Sequence, residues 1–144
     1  LRALVEVGLK IRRAVNEALQ VCHPTRPGLV GVDLVEFYGP TSNSAADLRN
    51  VVVFGAGSVD RSPCGTGTCA KMAAMHARGE LGIGEEFRYE GILGTVFRGK
   101  LVGTTMVGEF EAVIPEVTGS AYLTAFHQFI FDPHDPLKEG FLLL

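Results

Sequence analysis

Apolar residues recur every three or four positions over the first twenty residues, with charged residues between them. This period predicts an amphipathic helix over residues 1–20, which ends before a stretch that contains Pro24, Pro27 and Gly28. From 29 to 38 the apolar and polar residues alternate, and this pattern predicts a strand. Residues 51–54 are a continuous apolar run, which is typical of a strand buried on both faces.

A second helix is predicted over residues 68–78, because this segment is rich in Ala and Met and Gly79 follows as a natural C-cap. The helix carries few charges on any face, so we expect it to be almost wholly buried. Four later segments have strand patterns separated by Gly or Pro: 86–92, 95–102, 106–114 and 120–131.

Short connections between these strands favour antiparallel pairing. Phe126, Phe129 and Phe131 of the last segment are then expected in the core. The sequence therefore predicts an α+β fold, in which a mostly antiparallel sheet wraps around a buried central helix.

Composition narrows the classes of function. The chain has 144 residues, of which 47% are hydrophobic and 20% charged, as in folded domains. Thirteen basic and sixteen acidic side chains give a net charge of −3, without the basic surplus of a nucleic-acid-binding protein. The uncharged stretch at 119–131 is too short and too polar to cross a bilayer. We therefore expect neither a nucleic-acid partner nor a membrane partner.

Three cysteines at irregular spacing argue against a disulfide framework, and four histidines far apart in the sequence do not match a zinc site. We expect free thiols, no metal and, because the first residues lack an apolar signal segment, a cytoplasmic location. The chain begins directly in a helical pattern without a methionine, so we expect it to be part of a longer protein.

The candidate chemistry lies in residues 60–68, where Cys64 stands at the point at which a loop becomes the second helix. Gly65 and Gly67 let the backbone approach a bound molecule, and the first amides of a helix have no intrahelical acceptor. These amides would favour the thiolate of Cys64 and could hold a substrate carboxylate. Asp60 offers a counter-charge for an ammonium group. The segment therefore suits an amino acid.

Two phosphate-binding alternatives fit less well. The GxxxxGK[ST] pattern of a phosphate loop is absent. A phosphatase loop would need an arginine six residues after its cysteine, and Ala70 occupies that place.

The segment resembles the second-cysteine motif of the proline racemase family, whose members include hydroxyproline epimerases and use no pyridoxal phosphate. Diaminopimelate epimerases also carry a Cys-Gly-Thr-Gly turn, but the preceding Asp-Arg-Ser-Pro favours the proline branch. Other segments resemble the family in their order and approximate spacing: 32–40, 50–55, 91–94 and 131–133.

The resemblance implies a diaminopimelate-epimerase-like fold with two pseudo-symmetric domains and a cleft between them. It also implies racemisation or epimerisation at the α-carbon of proline or hydroxyproline without a cofactor. One cysteine, as thiolate, removes the α-proton, and a second, as thiol, delivers a proton to the opposite face. Carried over by position, Cys64 is one acid/base, the amides of Gly65 and Thr66 hold the carboxylate, Asp60 accepts the ammonium group and Phe54 packs on the ring.

The sequence also departs from the family. The first cysteine of the family belongs to a Cys-Gly-His motif in the N-terminal domain, and this chain has no such segment. Cys22 lacks a glycine cradle and is expected to be structural. We therefore expect residues 1–144 to be the C-terminal portion of a two-domain enzyme, which works with an N-terminal domain and as a homodimer. The stretch from 100 to 116 is shorter than the family usually has, as if a loop were missing.

The remaining expectations concern specificity and alternatives. Cys69 is expected to be a small packing residue, and Leu34 is placed near the substrate ring. Phe54 favours proline, because an apolar wall would leave a ring hydroxyl unpaired. Cys64 disfavours the dehydratase branch of the family, whose similar members carry threonine there. A non-catalytic amino-acid binding module that uses the same cradle remains open, as does a thiol nucleophile with a covalent intermediate.

Overall fold

The computed structural model describes residues 1–142, which form an α+β fold with two helices and eight strands. The helices are α1 (Arg2–Ala18) and α2 (Gly65–Ala77). The strands are β1 (Cys22–His23), β2 (Arg26–Val30), β3 (Leu34–Gly39), β4 (Leu48–Phe54), β5 (Ser58–Val59), β6 (Glu86–Glu90), β7 (Val96–Val107) and β8 (Phe110–Thr118).

The main sheet has the strand order β3-β4-β6-β7-β8, with β5 paired to the end of β4, while β1 and β2 form a separate ribbon. All strand pairs in residues 1–142 are antiparallel except β4 with β6. The connection from β4 to β6 passes through α2, and such a crossover is what joins parallel neighbours. The predicted α+β class and mostly antiparallel sheet are confirmed.

Helix α2 packs on one face of this sheet. Met72 is fully buried in the core against Phe87, Tyr89 and Leu101. Gly99 of β7 makes this packing possible, because a Cβ atom there would lie 2.6 Å from the sulfur of Met72. The sheet buries one side of α2, but Ala70 and Ala77 on its other side are exposed. The prediction of an almost wholly buried helix is therefore wrong for this chain.

Helix α1 packs on the opposite face, against β3 and β4. Its buried residue Gly8 lies so close to the sheet that a Cβ atom would be 3.2 Å from Val53 Cβ and 3.3 Å from Phe37. Side chains alternate along a strand, so Asn50 and Val52 point to the other face, toward α2. Strand β4 is thus buried on both faces, as the apolar run predicts.

Glycines change two of the predicted strands. The predicted strand at 29–38 is interrupted by Gly31, whose φ of 78° turns the chain between β2 and β3. Strand β7 continues past the break predicted after residue 102, because a bulge between Leu101 and Gly103 absorbs the irregularity. The chain then turns at Gly108, with φ of 62°, into β8.

The strand predicted at 120–131 is wrong for this chain, because residues 119–142 contain neither helix nor strand. Phe126, Phe129 and Phe131 are 90%, 79% and 73% exposed and do not belong to the core. A strand persists only where a neighbour satisfies its backbone groups and its apolar side chains are buried. Within residues 1–142, β8 pairs with β7 alone, and no strand is offered to this segment.

Candidate active site

Cys64 is the N-cap of α2 and has a φ of 63°, the one positive φ among the non-glycine residues of 1–142. This backbone conformation is costly for a residue with a side chain and persists only where surrounding contacts fix it. The residue is 5% exposed. The structure therefore holds the predicted acid/base in a strained position at the start of the helix.

The thiol is tied to the first turn of the helix. Its Sγ atom accepts a hydrogen bond of 3.3 Å from the N–H of Gly67 and lies 3.6 Å from the hydroxyl of Thr66. The N–H of Thr68 donates to the Cys64 carbonyl at 2.9 Å. The N–H groups of Gly65 and Thr66 make no hydrogen bond within residues 1–142, so both remain available to an anion.

Asp60 is linked to Cys64 through Ser62. Its Oδ1 accepts hydrogen bonds of 2.9 Å from both the N–H and the hydroxyl of Ser62. The Ser62 hydroxyl oxygen in turn accepts a bond of 3.0 Å from the Cys64 N–H. Oδ2 of Asp60 has no hydrogen-bond partner in the described part of the chain. One turn therefore brings together Asp60, Cys64, Gly65 and Thr66. One oxygen of the Asp60 carboxylate remains unpaired there.

Two residues that the sequence analysis missed hold this turn from either side. Asn50, 3% exposed on β4, donates a hydrogen bond of 2.9 Å to the carbonyl of Pro63. Gly91, which follows β6, lies so close that a Cβ atom would be 2.9 Å from the backbone nitrogen of Pro63. A polar residue directly before an apolar strand run could have indicated Asn50, but no local signal marks Gly91.

Glu36 is a third missed residue, placed under the first turn of α2. Its Oε1 accepts a hydrogen bond of 2.5 Å from the hydroxyl of Tyr89, and its Oε2 is buried without a partner in the described residues. Burial raises the pKa of Glu36, and the Tyr89 bond and the charge of Lys71 oppose this rise. No local signal marks Glu36, because Leu34 and Tyr38, its neighbours on the same strand face, are themselves exposed.

Phe54 and Leu34 lie opposite each other across the β3–β4 pair. They share the face of β4 that carries Asn50, which is the side of the sheet where the Cys64 turn lies. Both are partly exposed, at 37% and 39%. The two side chains therefore form an apolar pair at one end of the β3–β4 pair, partly open to solvent.

The other cysteines have different surroundings. Cys69 is half-buried on α2, and burial, followed by the neighbouring Cys64, raises its pKa. Cys22 is exposed on the β1–β2 ribbon, and its thiol donates to the carbonyl of His23 at 3.6 Å. Neither has the free amides that surround Cys64.

Residues 1–142 contain no group of three or more His, Cys, Asp or Glu residues that could hold a metal ion. None of the described helices is long and apolar enough to span a bilayer. A groove of about 710 Å³ lies beside the turn and is lined in part by Arg61, Ser62, Phe97 and Tyr122.

Known proteins resemble this chain over almost its whole length. The family model described as proline racemase matches residues 1–142. A proline racemase of Clostridioides difficile is 53% identical over 140 residues, which cover 97% of this chain and 42% of the relative. A trans-3-hydroxy-L-proline dehydratase of Bacillus cereus is 45% identical over 143 residues, covering 99% of this chain and 43% of the relative.

The same likeness holds in three dimensions. The crystal structure of a hydroxyproline epimerase from Agrobacterium vitis, with bound trans-4-OH-L-proline, matches with a TM-score of 0.81 at 40% identity. The match covers 99% of this chain and 40% of that one. The chain thus spans about two fifths of the length of the proteins it matches. The chain belongs to the proline racemase family.

Proposed function

We propose that this chain supplies one half of the active site of a cofactor-independent enzyme that racemises proline or epimerises hydroxyproline. The observation that carries the proposal is the surroundings of the Cys64 thiol. It lies at the start of α2 next to the unused N–H groups of Gly65 and Thr66, and Asp60 is linked to it through one residue. The relatives named proline racemase and hydroxyproline epimerase support the same reaction class.

Cys64 acts as one of two acid/base groups. As a thiolate it takes the α-proton of the amino acid, while a second thiol gives its own proton to the opposite face of the α-carbon. In the reverse direction Cys64 is the thiol and donates. The Gly67 N–H donates to Sγ and holds the sulfur at the start of the helix. No electrons are gained or lost, and each cycle leaves the two sulfurs with their roles exchanged.

The amides and the carboxylate orient the substrate. An α-proton is weakly acidic, so the negative charge that moves onto the substrate carboxylate must be stabilised by donors already in place. The N–H groups of Gly65 and Thr66 supply these donors. The free oxygen of Asp60 accepts the ammonium group. The apolar pair of Leu34 and Phe54 faces the ring and favours proline, because it offers no partner to a ring hydroxyl.

The second acid/base comes from an N-terminal domain. The Clostridioides difficile relative is more than twice as long as this chain and so has room for such a domain. The exposed apolar side chains of 122–131 support such a partner, because they form a long uncovered surface in this chain. We further propose a homodimer, for which the open sheet edges at β3 and β8 offer a surface. A cytoplasmic location suits the three free thiols.

Loss of the α-hydrogen signal of L-proline in deuterated buffer, followed by proton NMR, tests the reaction. We expect the full-length protein to lose the signal and residues 1–144 alone to leave it unchanged. If the full-length protein binds proline but never exchanges its α-hydrogen, it is an amino-acid binding module and the proposal is wrong. Substrate-derived mass on Cys64 would instead identify a covalent mechanism.

Dehydration is the competing activity, because one relative is a trans-3-hydroxy-L-proline dehydratase. Elimination of a β-hydroxyl needs no proton donor on the second face of the α-carbon, so a thiol at position 64 favours racemisation. We expect trans-3-hydroxy-L-proline to give no dehydrated product with the full-length protein. If the protein turned over this compound faster than L-proline, its activity would be dehydration and the proposed racemisation would be wrong.

A further inference from the structure

Gly67 lies between two ionisable groups: the thiol of Cys64, which the proposed reaction uses, and the carboxyl group of Glu36, which it does not use. A Cβ atom at Gly67 would lie 3.2 Å from the sulfur of Cys64 and would collide with Oε2 of Glu36. The Cys64 sulfur and Glu36 Oε2 both lie next to this Cβ position, so they are within about 6 Å of each other. Two charges at that distance change each other's ionisation. Glycine is therefore required at position 67, and its absent side chain brings the carboxyl group close to the thiol.

When Glu36 is ionised, its unpaired oxygen lies on the side of Cys64. Its Oε1 already accepts from Tyr89, which is fully buried, and the oxygen that faces Gly67 is the one without a partner in the described residues. The cation that acts on Glu36 is Lys71, which is itself buried and has its Nζ 3.4 Å above the ring of Tyr38. A second negative charge on Cys64 would thus meet a like charge across a glycine, in a region with little water.

We propose that Glu36 is a positioning residue that controls the protonation of Cys64: the two groups hold one negative charge between them across Gly67. When Glu36 is ionised, Cys64 is kept as the thiol, which is the proton donor. When Glu36 is neutral, Cys64 can become the thiolate, which is the proton acceptor. The catalytic meaning of this coupling rests on the proposed function, since a two-thiol reaction needs each sulfur to alternate between these two states.

The titratable and charged groups around this pair come from two elements. Tyr89 from β6 and Lys71 from α2 act on Glu36, and Cys69, also on α2, lies near Cys64. Tyr89 donates to the carboxylate, and Lys71 is a cation, so both favour the ionised form of Glu36. Burial favours the neutral form and is the largest influence, raising its pKa. Loss of either polar neighbour would therefore favour the neutral form of Glu36.

The pH dependence of Cys64 alkylation by iodoacetamide tests the coupling. The rate is followed in the full-length protein from about pH 5 to about pH 10 by mass spectrometry of the peptide that contains Cys64, which separates it from Cys22 and Cys69. Each rate is divided by the plateau rate at high pH, so that accessibility cancels. For Glu36→Gln we expect the relative rate at about pH 7 to rise roughly ten-fold over wild type, because the neutral amide no longer opposes the thiolate.

Glu90→Gln is the matched control. Glu90 is also buried, but it accepts from Thr41 and Asn43 and is not a neighbour of Gly67. Its profile should follow wild type. Tyr89→Phe gives an independent test if Glu36→Gln folds poorly, since losing the phenol weakens the ionised form of Glu36. This variant should shift the alkylation profile to lower pH as well, by a smaller amount.

Superimposable profiles for Glu36→Gln and wild type would overturn the proposal, as would a shift to higher pH. The result is independent of the reaction itself. A shifted alkylation profile in a protein that does not exchange the α-hydrogen of proline would leave the coupling standing and refute the proposed function. Exchange activity with an unshifted profile would support the proposed function and refute the coupling.

Discussion

The side-chain amide of Asn50 donates a 2.9 Å hydrogen bond to the carbonyl of Pro63, which joins the middle of a buried strand to the residue before Cys64. The same carbonyl accepts from the hydroxyl of Thr68 at 3.2 Å. The turn is therefore held between β4 and α2 rather than by its own residues alone. This explains how a residue with a positive φ can keep one position at the start of a helix.

Asn50→Ala should loosen this turn. We expect a loss of about 1–3 kcal/mol in the free energy of unfolding, because a buried hydrogen bond is removed and a cavity is left. Exchange of the α-hydrogen should fall about ten-fold per folded molecule, because Cys64 is less well positioned. Urea unfolding and the NMR exchange rate measure the two effects.

Asn16→Ala is the control for this prediction. Asn16 also bridges two segments, with bonds of 2.9 Å and 2.7 Å to the backbone of Val32, but on the α1 side of the sheet. It should lower stability and leave the exchange rate of the folded protein unchanged. Equal effects of both substitutions on exchange would mean that Asn50 acts through stability alone.

Gly91→Ala tests the close approach behind the turn. The new Cβ atom would lie 2.9 Å from backbone atoms of Ser62 and Pro63, which cannot move without moving Cys64. We expect the free energy of unfolding to fall by about 1–3 kcal/mol. The exchange rate should fall more than the folded fraction does. In Gly39→Ala, where a Cβ atom meets nothing within 4 Å, both quantities should stay close to wild type.

Cys64→Ser should separate chemistry from structure. Serine is a good N-cap, and its oxygen can accept the Gly67 N–H bond, so the free energy of unfolding should change by less than about 1 kcal/mol. A hydroxyl is a far poorer base than a thiolate, so exchange should fall at least roughly a hundred-fold. Cys69→Ser, on the same helix, should keep its activity. Near wild-type turnover in Cys64→Ser would rule out the two-thiol mechanism.

Glu36 should make the protein less stable as the pH rises. The pKa of this carboxyl is raised from 4.5, mainly by burial, so the folded state binds its proton more tightly than the unfolded state. Its contribution to stability is present below pH 4.5 and is lost as the pH rises through the folded value. We expect Glu36→Gln to lose this decline and to melt a few degrees above wild type at neutral pH.

The contribution of Asp47 to stability should change with pH in the opposite direction. Its hydrogen bonds with Arg88 lower its pKa, so its contribution is present above the ordinary value of 3.8 and is lost as the pH falls through the folded value. Asp47→Asn should therefore change melting temperatures little in acid and lower them slightly at neutral pH, because the pair is largely exposed. Melting curves across pH for both variants check the two signs together.

Apolar periodicity predicted the first helix, and composition with a C-terminal glycine the second, each to within a few residues, because these signals are local. The turn at Cys64 was also predictable, since cysteine between proline and glycine at a helix start has few structural uses. Glu36 and Gly91 were not, because each acts on a segment that is distant in sequence. The strand predicted at 120–131 failed for the same reason: its apolar pattern is present, but within residues 1–142 no neighbouring strand completes it.

Asp60 is expected to bind the ammonium group and also to build the turn, and two substitutions distinguish these roles. Asp60→Asn keeps the oxygen that accepts both bonds from Ser62 but removes the charge. We expect its KM for L-proline to rise about ten-fold or more, with unfolding close to wild type, because an ion pair with the substrate is lost while the turn remains. Asp60→Ala removes the acceptor as well, so its stability and its kcat should both fall. If Asp60→Asn keeps the wild-type KM, the ammonium group is bound elsewhere and Asp60 serves only to shape the turn that carries Cys64.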